Sequence, residues 1–272
     1  MQGNGWAPGF SPNGATLYYL RSASITAGTR GASLMAVDLS SFRVDNLFPD
    51  LLVDDYDISP NGKRVVFSST TKDGTPQLWV ASLDRRSPPQ AVPAPVPLDQ
   101  PGFISDEEIC FRALENGKHF LQRAHLNGAG RHSVFAGPVS EVGEISPDRK
   151  WVAASEPAAG ERSTVRFSAH AADGSRSIVL CDVCQVRWTP DGKTMYFNFF
   201  FGAGRAGETV AVLTVPGQLF PPLPPQGLSL QEALKLPGAK HFDRFVSPSP
   251  IPGVFAYQKA VVQRNIYRIP LK

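Results

Sequence analysis

Cysteine is scarce in this chain: three residues of 272, Cys110, Cys181 and Cys184, too few to build a scaffold on disulfides. The fold must therefore rest on burial. No stretch approaches the roughly 18 to 20 apolar residues that cross a bilayer, so no membrane contact is expected. Lys and Arg form no run, and the formal charge is only +3, which argues against a nucleic-acid or anionic-membrane binder. Met1 to Gly5 carries neither a basic nor an apolar leader region, so no secretory signal is expected. As it stands the chain reads as cytoplasmic; within a longer receptor-type parent it would be extracytoplasmic. Several catalytic signatures are also missing: the Gly-x-Ser-x-Gly elbow, the kinase Gly-rich loop with His-Arg-Asp and Asp-Phe-Gly, the Walker phosphate loop, and His-Glu-x-x-His. No cofactor is expected.

What the chain has in quantity is punctuation. Twenty-four Gly and 25 Pro are too many for a helical protein and point to many short strands. Hydrophobic residues at 42% and charged residues at 19% are ordinary for a globular chain with a buried core.

The punctuation repeats. Phe10-Ser11-Pro12-Asn13-Gly14, Ile58-Ser59-Pro60-Asn61-Gly62, Ile145-Ser146-Pro147-Asp148 and Trp188-Thr189-Pro190-Asp191-Gly192 each precede an apolar segment of strand length. Weaker copies stand at Phe103-Ile104-Ser105-Asp106 and Val246-Ser247-Pro248. The marker Ser or Thr falls at 11, 59, 105, 146, 189 and 247, in steps of 48, 46, 41, 43 and 58. Pro presets φ, Asn or Asp bonds back to the backbone, and Gly supplies a positive φ, so the phrase reverses one strand into the next. A third apolar segment follows in each unit at 34–39, 78–83, 119–126, 164–171, 209–215 and 266–271, and a weaker fourth at 44–48, 133–135 and 177–180. Four antiparallel strands per unit of about 45 residues is the pattern of a β-propeller blade.

The phrase Ser/Thr-Pro-Asn/Asp-Gly, its apolar strand, the turn Lys72-Asp73-Gly74 and then Gln77-Leu78-Trp79-Val80 resemble the TolB-like propeller repeat. That resemblance implies protein partners. The tail, from Pro221-Pro222-Leu223-Pro224-Pro225 to Gln263-Arg264-Asn265-Ile266-Tyr267-Arg268-Ile269-Pro270-Leu271, resembles the end of propellers fused to bacterial Ser/Thr kinases.

The expected architecture is all-β: one six-bladed propeller over 1–272 of four-stranded antiparallel blades, with units at 6–48, 49–98, 99–138, 139–181, 182–240 and 241–272. Its last blade is short of a strand, and the missing strand is expected from upstream in a longer parent, because an open edge exposes unpaired backbone groups. The insertion 216–240 explains the long last step; Ser229-Leu230-Gln231-Glu232 within it is a capping-box pattern that opens a short helix. As a surface element it is expected to cover the boundary between blades five and six.

Candidate chemistry is sparse. Cys181-x-x-Cys184 can form a local disulfide or a thiol pair, but lacks the further ligands of a zinc site. His119, His125 and His132 invite a metal; His119 and His125 stand about 20 Å apart on one extended strand, too far to share an ion. No metal site is expected. The loops that lead into each inner strand should rim one mouth of the central channel, presenting Asp54 and Asp55 with Asp57 close by, Asp99, Glu141, Gln185, and His241 with Asp243. The opposite turns hold Arg30, Lys72, Lys118, Arg162 and Arg205 beside Asp73, Glu115, Glu161 and Glu208, whose charges cancel. Trp6, Trp79, Trp151 and Trp188 read as core. The expected function is a non-catalytic domain that holds a protein partner or small ligand at one propeller face. The alternative is a hydrolase or lyase at the channel mouth using groups such as Asp55 and His241.

Overall fold

The computed structural model describes residues 5–22, 31–157, 165–200, 207–251 and 253–257. Five four-stranded antiparallel sheets follow one another along the chain. The first contains β1 (Gly5–Phe10), β2 (Thr16–Ser22), β3 (Ala32–Asp38) and β4 (Val44–Asn46). The second contains β5 (Asp55–Ile58), β6 (Arg64–Thr70), β7 (Pro76–Ser82) and β8 (Gln90–Ala91). The third is β9 (Leu98–Phe103), β10 (Glu108–Glu115), β11 (Lys118–His125) and β12 (His132–Pro138), and the fourth β13 (Glu141–Ile145), β14 (Trp151–Pro157), β15 (Val165–Ala171) and β16 (Ser177–Asp182). The fifth holds β17 (Cys184–Trp188), β18 (Thr194–Phe199) and β19 (Glu208–Leu213), then α1 (Leu230–Lys235) in the insertion, then β20 (Lys240–Phe242). A sixth, partial sheet pairs β21 (Val246–Pro248) with β22 (Phe255–Tyr257). The segment 266–271, expected to give this blade a third strand, lies outside the described residues.

The repeated turn joins the first strand of a blade to the second. Gly14, Gly62 and Gly192 take φ of 71°, 68° and 68°, and their N–H groups donate to the carbonyls of Ser11, Ser59 and Thr189 at 2.8 Å. The marker hydroxyl locks the loop from inside: Ser59 Oγ donates to Asn61 Oδ1 at 2.8 Å and accepts from the Arg64 N–H at 2.9 Å. The same pair of bonds recurs at Ser11 and Ser146. In blade four Arg149 stands where the turns of blades one, two and five have glycine, at φ 61°.

Successive side chains of a strand point to opposite faces, and here each face packs on a different neighbour. On β6, Val65 and Phe67 join a core cluster with blade one, while Val66 joins one with blade three. On β14, Val152 and Ala154 pack towards blade three and Trp151 and Ala153 towards blade five. Burial on both faces explains why these second strands are continuously apolar rather than alternating. Phe67, Phe111, Phe167 and Phe197 are fully buried in successive blades, each contributing about 1.5–3 kcal/mol by burial.

The helix is capped as its sequence pattern predicts, with both arms of the Ser229–Glu232 capping box formed. The insertion itself covers a different boundary from the one expected. Leu228 N–H donates to the Leu180 carbonyl at 2.8 Å, Trp188 Nε1 donates to the Leu219 carbonyl at 2.9 Å, and Phe220 meets Trp151 edge-on at 5.1 Å. It therefore seals blades four and five, because the exposed apolar edge left by Trp151 and Trp188 lies there. Trp6 also departs from the core reading: it is 37% exposed and faces the channel.

Candidate functional site

The inner strands β1, β5, β9, β13, β17 and β21 converge on one channel of about 810 Å³. Its two ends differ. At the repeated turns the channel is lined by Pro12, Pro60, Pro147, Pro190 and Pro248, the prolines of the five phrases that have one. At the other end, where the inner strands begin, it is lined by Trp6, Asp54, Asp55, Gln100, Glu141 and Gln185.

This mouth is acidic and partly organised from within. Asp99 is held by Arg112 in a bidentate pair, with Nε to Oδ1 and Nη2 to Oδ2 both at 2.7 Å, and Arg112 Nη1 also reaches the Ser140 carbonyl. Glu141 accepts from the Gln185 side-chain amide, and Asp54 accepts from the Thr70 hydroxyl at 2.7 Å. Asp55 forms no ion pair among the described residues, although Arg112 stands within Coulombic reach of it. Burial, with the negative charges of Glu141, Asp99 and Asp54, pushes its carboxyl up to about 6. Burial also raises Glu141, against the pull of Gln185, Arg112 and Arg187.

Deeper in the channel lies a second polar layer that sequence reasoning did not single out as a group. Asp57 accepts from the Phe103 N–H at 2.7 Å and the Ile58 N–H at 2.9 Å. Glu144 accepts from the Trp188 N–H at 3.1 Å, and Arg149 donates to the Phe103 carbonyl at 2.8 Å. Burial raises Asp57 and pushes Glu144 up to about 7, with Arg149 and Arg187 opposing it. The signal was in the repeat: Asp57, Glu144 and Arg187 each stand two residues before the marker Ser or Thr.

Of the residues expected at the mouth, Asp54, Asp55, Glu141 and Gln185 line the channel, and Asp99 sits beside it with Arg112. His241 and Asp243 do not join them. His241 lies on β20, the outermost strand of blade five, where its Nε2 meets Glu208 at 2.8 Å. Asp243 is exposed and paired with Arg244 at 2.6 Å. The inner strand of blade six starts only at Val246, so the residues before it are used as the edge of blade five. Cys181 and Cys184 are buried and joined as a disulfide, Cα atoms 6.1 Å apart, at the passage from β16 to β17. Of the turn charges, Arg30, Glu161, Arg162 and Arg205 lie outside the described residues. Among the described residues no group of three or more His, Cys, Asp or Glu side chains is arranged to hold a metal ion, and no helix is long and apolar enough to cross a membrane.

Comparison with known proteins gives the architecture a relative. The chain superimposes on TolB from Acinetobacter baumannii with a TM-score of 0.61 at 16% identity, covering 78% of this chain and 52% of that one. The chain has the fold of a TolB-like propeller. A structure from Agrobacterium tumefaciens under the TolB name matches at 0.63 and 14% identity, covering 79% and 78% of the two chains. An oligogalacturonate lyase in complex with manganese matches at 0.57 and 13% identity, covering 80% and 64%. The propeller thus spans about half the length of the Acinetobacter protein. No protein-family model matches it, and no curated protein does.

Proposed function

We propose that this propeller is a non-catalytic recognition domain, and that the channel mouth at the start of the inner strands is its working surface for a protein partner or small ligand. The observation that supports this most directly is the channel itself: about 810 Å³, with blades two, four and five placing Asp54, Asp55, Glu141 and Gln185 around one end. Concave sites with a few convergent polar groups are where ligands bind. We further read the chain as the sensory or interaction part of a longer bacterial signalling protein, of the Ser/Thr kinase-associated kind that its tail resembles; the full reading frame tests this.

The test of the mouth is site-specific photo-crosslinking in cells that express the full protein. A crosslinker at residue 54 should capture a discrete partner, and one at the exposed outer residue Arg86 should not. Equal capture from both positions overturns the assignment.

A second reading, catalysis in the same channel, takes support from the lyase neighbour and from Asp55, whose raised carboxyl suits proton transfer near neutral pH. The residues present do not fit a manganese site: none of the five histidines lines the channel, and no three-ligand cluster forms among the described residues. The pairing of Asp55 with His241 fails too, since they lie on the inner strand of one blade and the outer edge of another. Formation of unsaturated product from oligogalacturonate, abolished in Asp55→Asn, would favour this reading over recognition.

A further inference from the structure

Equivalent positions of three successive blades carry a carboxylate on the inner strand directly opposite a polar residue on the second strand. The pairs are Asp55 with Ser68, Asp99 with Arg112, and Glu141 with Ser155. Directly opposed residues project from the same face of a sheet, and each pair faces the following blade: Asp57, two residues on from Asp55, reaches Phe103, Arg112 reaches Ser140, and Glu141 reaches Gln185.

In blade three the pair is complete, because the Arg112 guanidinium forks onto both oxygens of Asp99. In blades two and four a serine stands where that arginine stands. Ser68 Oγ and Ser155 Oγ are each buried, on side chains of residues 1% exposed, and neither has a hydrogen-bond partner. A buried hydroxyl without a partner is costly and needs an explanation. Glu141 is engaged by Gln185, whereas Asp55 is held only by the Tyr56 backbone N–H: among the described residues it has no ion pair and no side-chain donor, and Arg112, committed to Asp99, acts on it from Coulombic distance alone. Blade two therefore has the acceptors of the blade-three pair without the donor.

We infer that Asp55, which lines the channel mouth with the unpartnered Ser68 hydroxyl buried opposite it in the sheet, is the recognition site for one guanidinium group brought by a ligand or partner. The charge-assisted fork that Arg112 makes within the chain shows the geometry that such a group would adopt. Asp54 and Glu141 supply further negative potential around it, Asp99 being balanced by Arg112, and Ser68 a further acceptor. The inference rests on the reading of the mouth as the working surface and names the chemistry that it selects. The guanidinium has two sources, a free small molecule or the arginine of a peptide segment, and the experiment separates them.

The full chain is titrated with N-acetyl-arginine amide and, separately, with an arginine-containing peptide, each beside its neutral citrulline counterpart. The side-chain amide signals of Gln100 and Gln185 are followed by NMR. Saturable shifts with the arginine compounds and none with citrulline are expected; a response to the peptide alone assigns the group to a polypeptide partner. Asp55→Asn should weaken binding at least about tenfold, the scale of one lost charge-assisted contact. Ser68→Arg, which restores the blade-three arrangement, should abolish binding while keeping Asp55. Asp55→Asn with Glu141→Gln is the second variant should Ser68→Arg fail to fold. Equal response to citrulline, an unchanged affinity in Asp55→Asn, or binding of Ca²⁺ with no response to arginine overturns the inference. Crosslinking from residue 54 that succeeds while the arginine titrations fail sinks this inference alone; absence of both sinks the reading of the mouth as well.

Discussion

Asp57 and Phe103, 46 residues apart, are joined across a blade boundary: the carboxylate of the first accepts the backbone N–H of the second at 2.7 Å. The bond is one repeat long, so it welds two blades at equivalent places on their inner strands. Asp57→Ala leaves the Phe103 and Ile58 N–H groups without their acceptor and should cost about 1–3 kcal/mol. Asp57→Asn keeps an acceptor oxygen and should cost less. Urea denaturation of both variants measures the difference, and equal losses would mean that charge rather than the interblade bond is what counts.

The buried channel carboxylates give stability an unusual pH dependence. A carboxyl whose native pKa lies above its unfolded value holds its proton more tightly when folded. Its contribution is complete below the unfolded pKa and is lost as pH rises through the native one. Glu144, raised from 4.5 to about 7, and Asp55, raised from 3.8 to about 6, set that window, and Asp57 and Glu141 shift the same way. The exposed turn aspartates, such as Asp73 and Asp191, are held low by their Thr partners and act only below pH 4. The chain should therefore be less stable at pH 8 than at pH 5, by the order of 1–3 kcal/mol per strongly shifted group. Glu144→Gln should flatten the profile. Stability that rises from pH 5 to pH 8 would contradict the assignment.

The fold was legible because its information is local. Ser59-Pro60-Asn61-Gly62 and its copies specify a turn whatever surrounds them, and the apolar runs after them specify strands buried on both faces. The mouth was legible only in part. Counting back from a marker finds Asp55 and Gln185, since blades two and five have full inner strands there. The same count fails at His241 and Asp243, because β21 is short and the Phe242–Thr209 pairing recruits the preceding residues to blade five. Gln100 is hidden by a bulge: with φ 48° it swings its side chain to accept the Val142 N–H at 2.8 Å. β8, two exposed residues followed by prolines at 93 and 95, carries too little pattern to be seen at all.

Arg149 tests whether a strained turn is kept for what its side chain does. A non-glycine residue at φ 61° costs about 1 kcal/mol, which glycine would recover. The substitution would also remove the bond to the Phe103 carbonyl, a contact from a charged donor of about 1.5–3 kcal/mol, and a cation that opposes the raised Asp57. Arg149→Gly should therefore destabilise by about 1 kcal/mol, although it restores the consensus of the other turns. A higher urea midpoint in the variant would show that the strain outweighs the bridge.

Thiol counting tests the cysteine arrangement. Cys110 is fully buried and its thiol is pushed up to about 12 by that burial, so it is neither accessible nor nucleophilic in the native state. Cys181 and Cys184 are tied to each other. Iodoacetamide should therefore modify no cysteine of the native chain, one after denaturation without reductant, and three after denaturation with reductant, counted by intact mass. The closed loop is short, so the Cys181→Ser and Cys184→Ser double variant should lose no more than about 2 kcal/mol. Three modified residues in denatured, unreduced protein would show the pair to be free thiols, and blades four and five would then be held by their shared core and the Glu141–Gln185 and Glu144–Trp188 hydrogen bonds, with no covalent bridge.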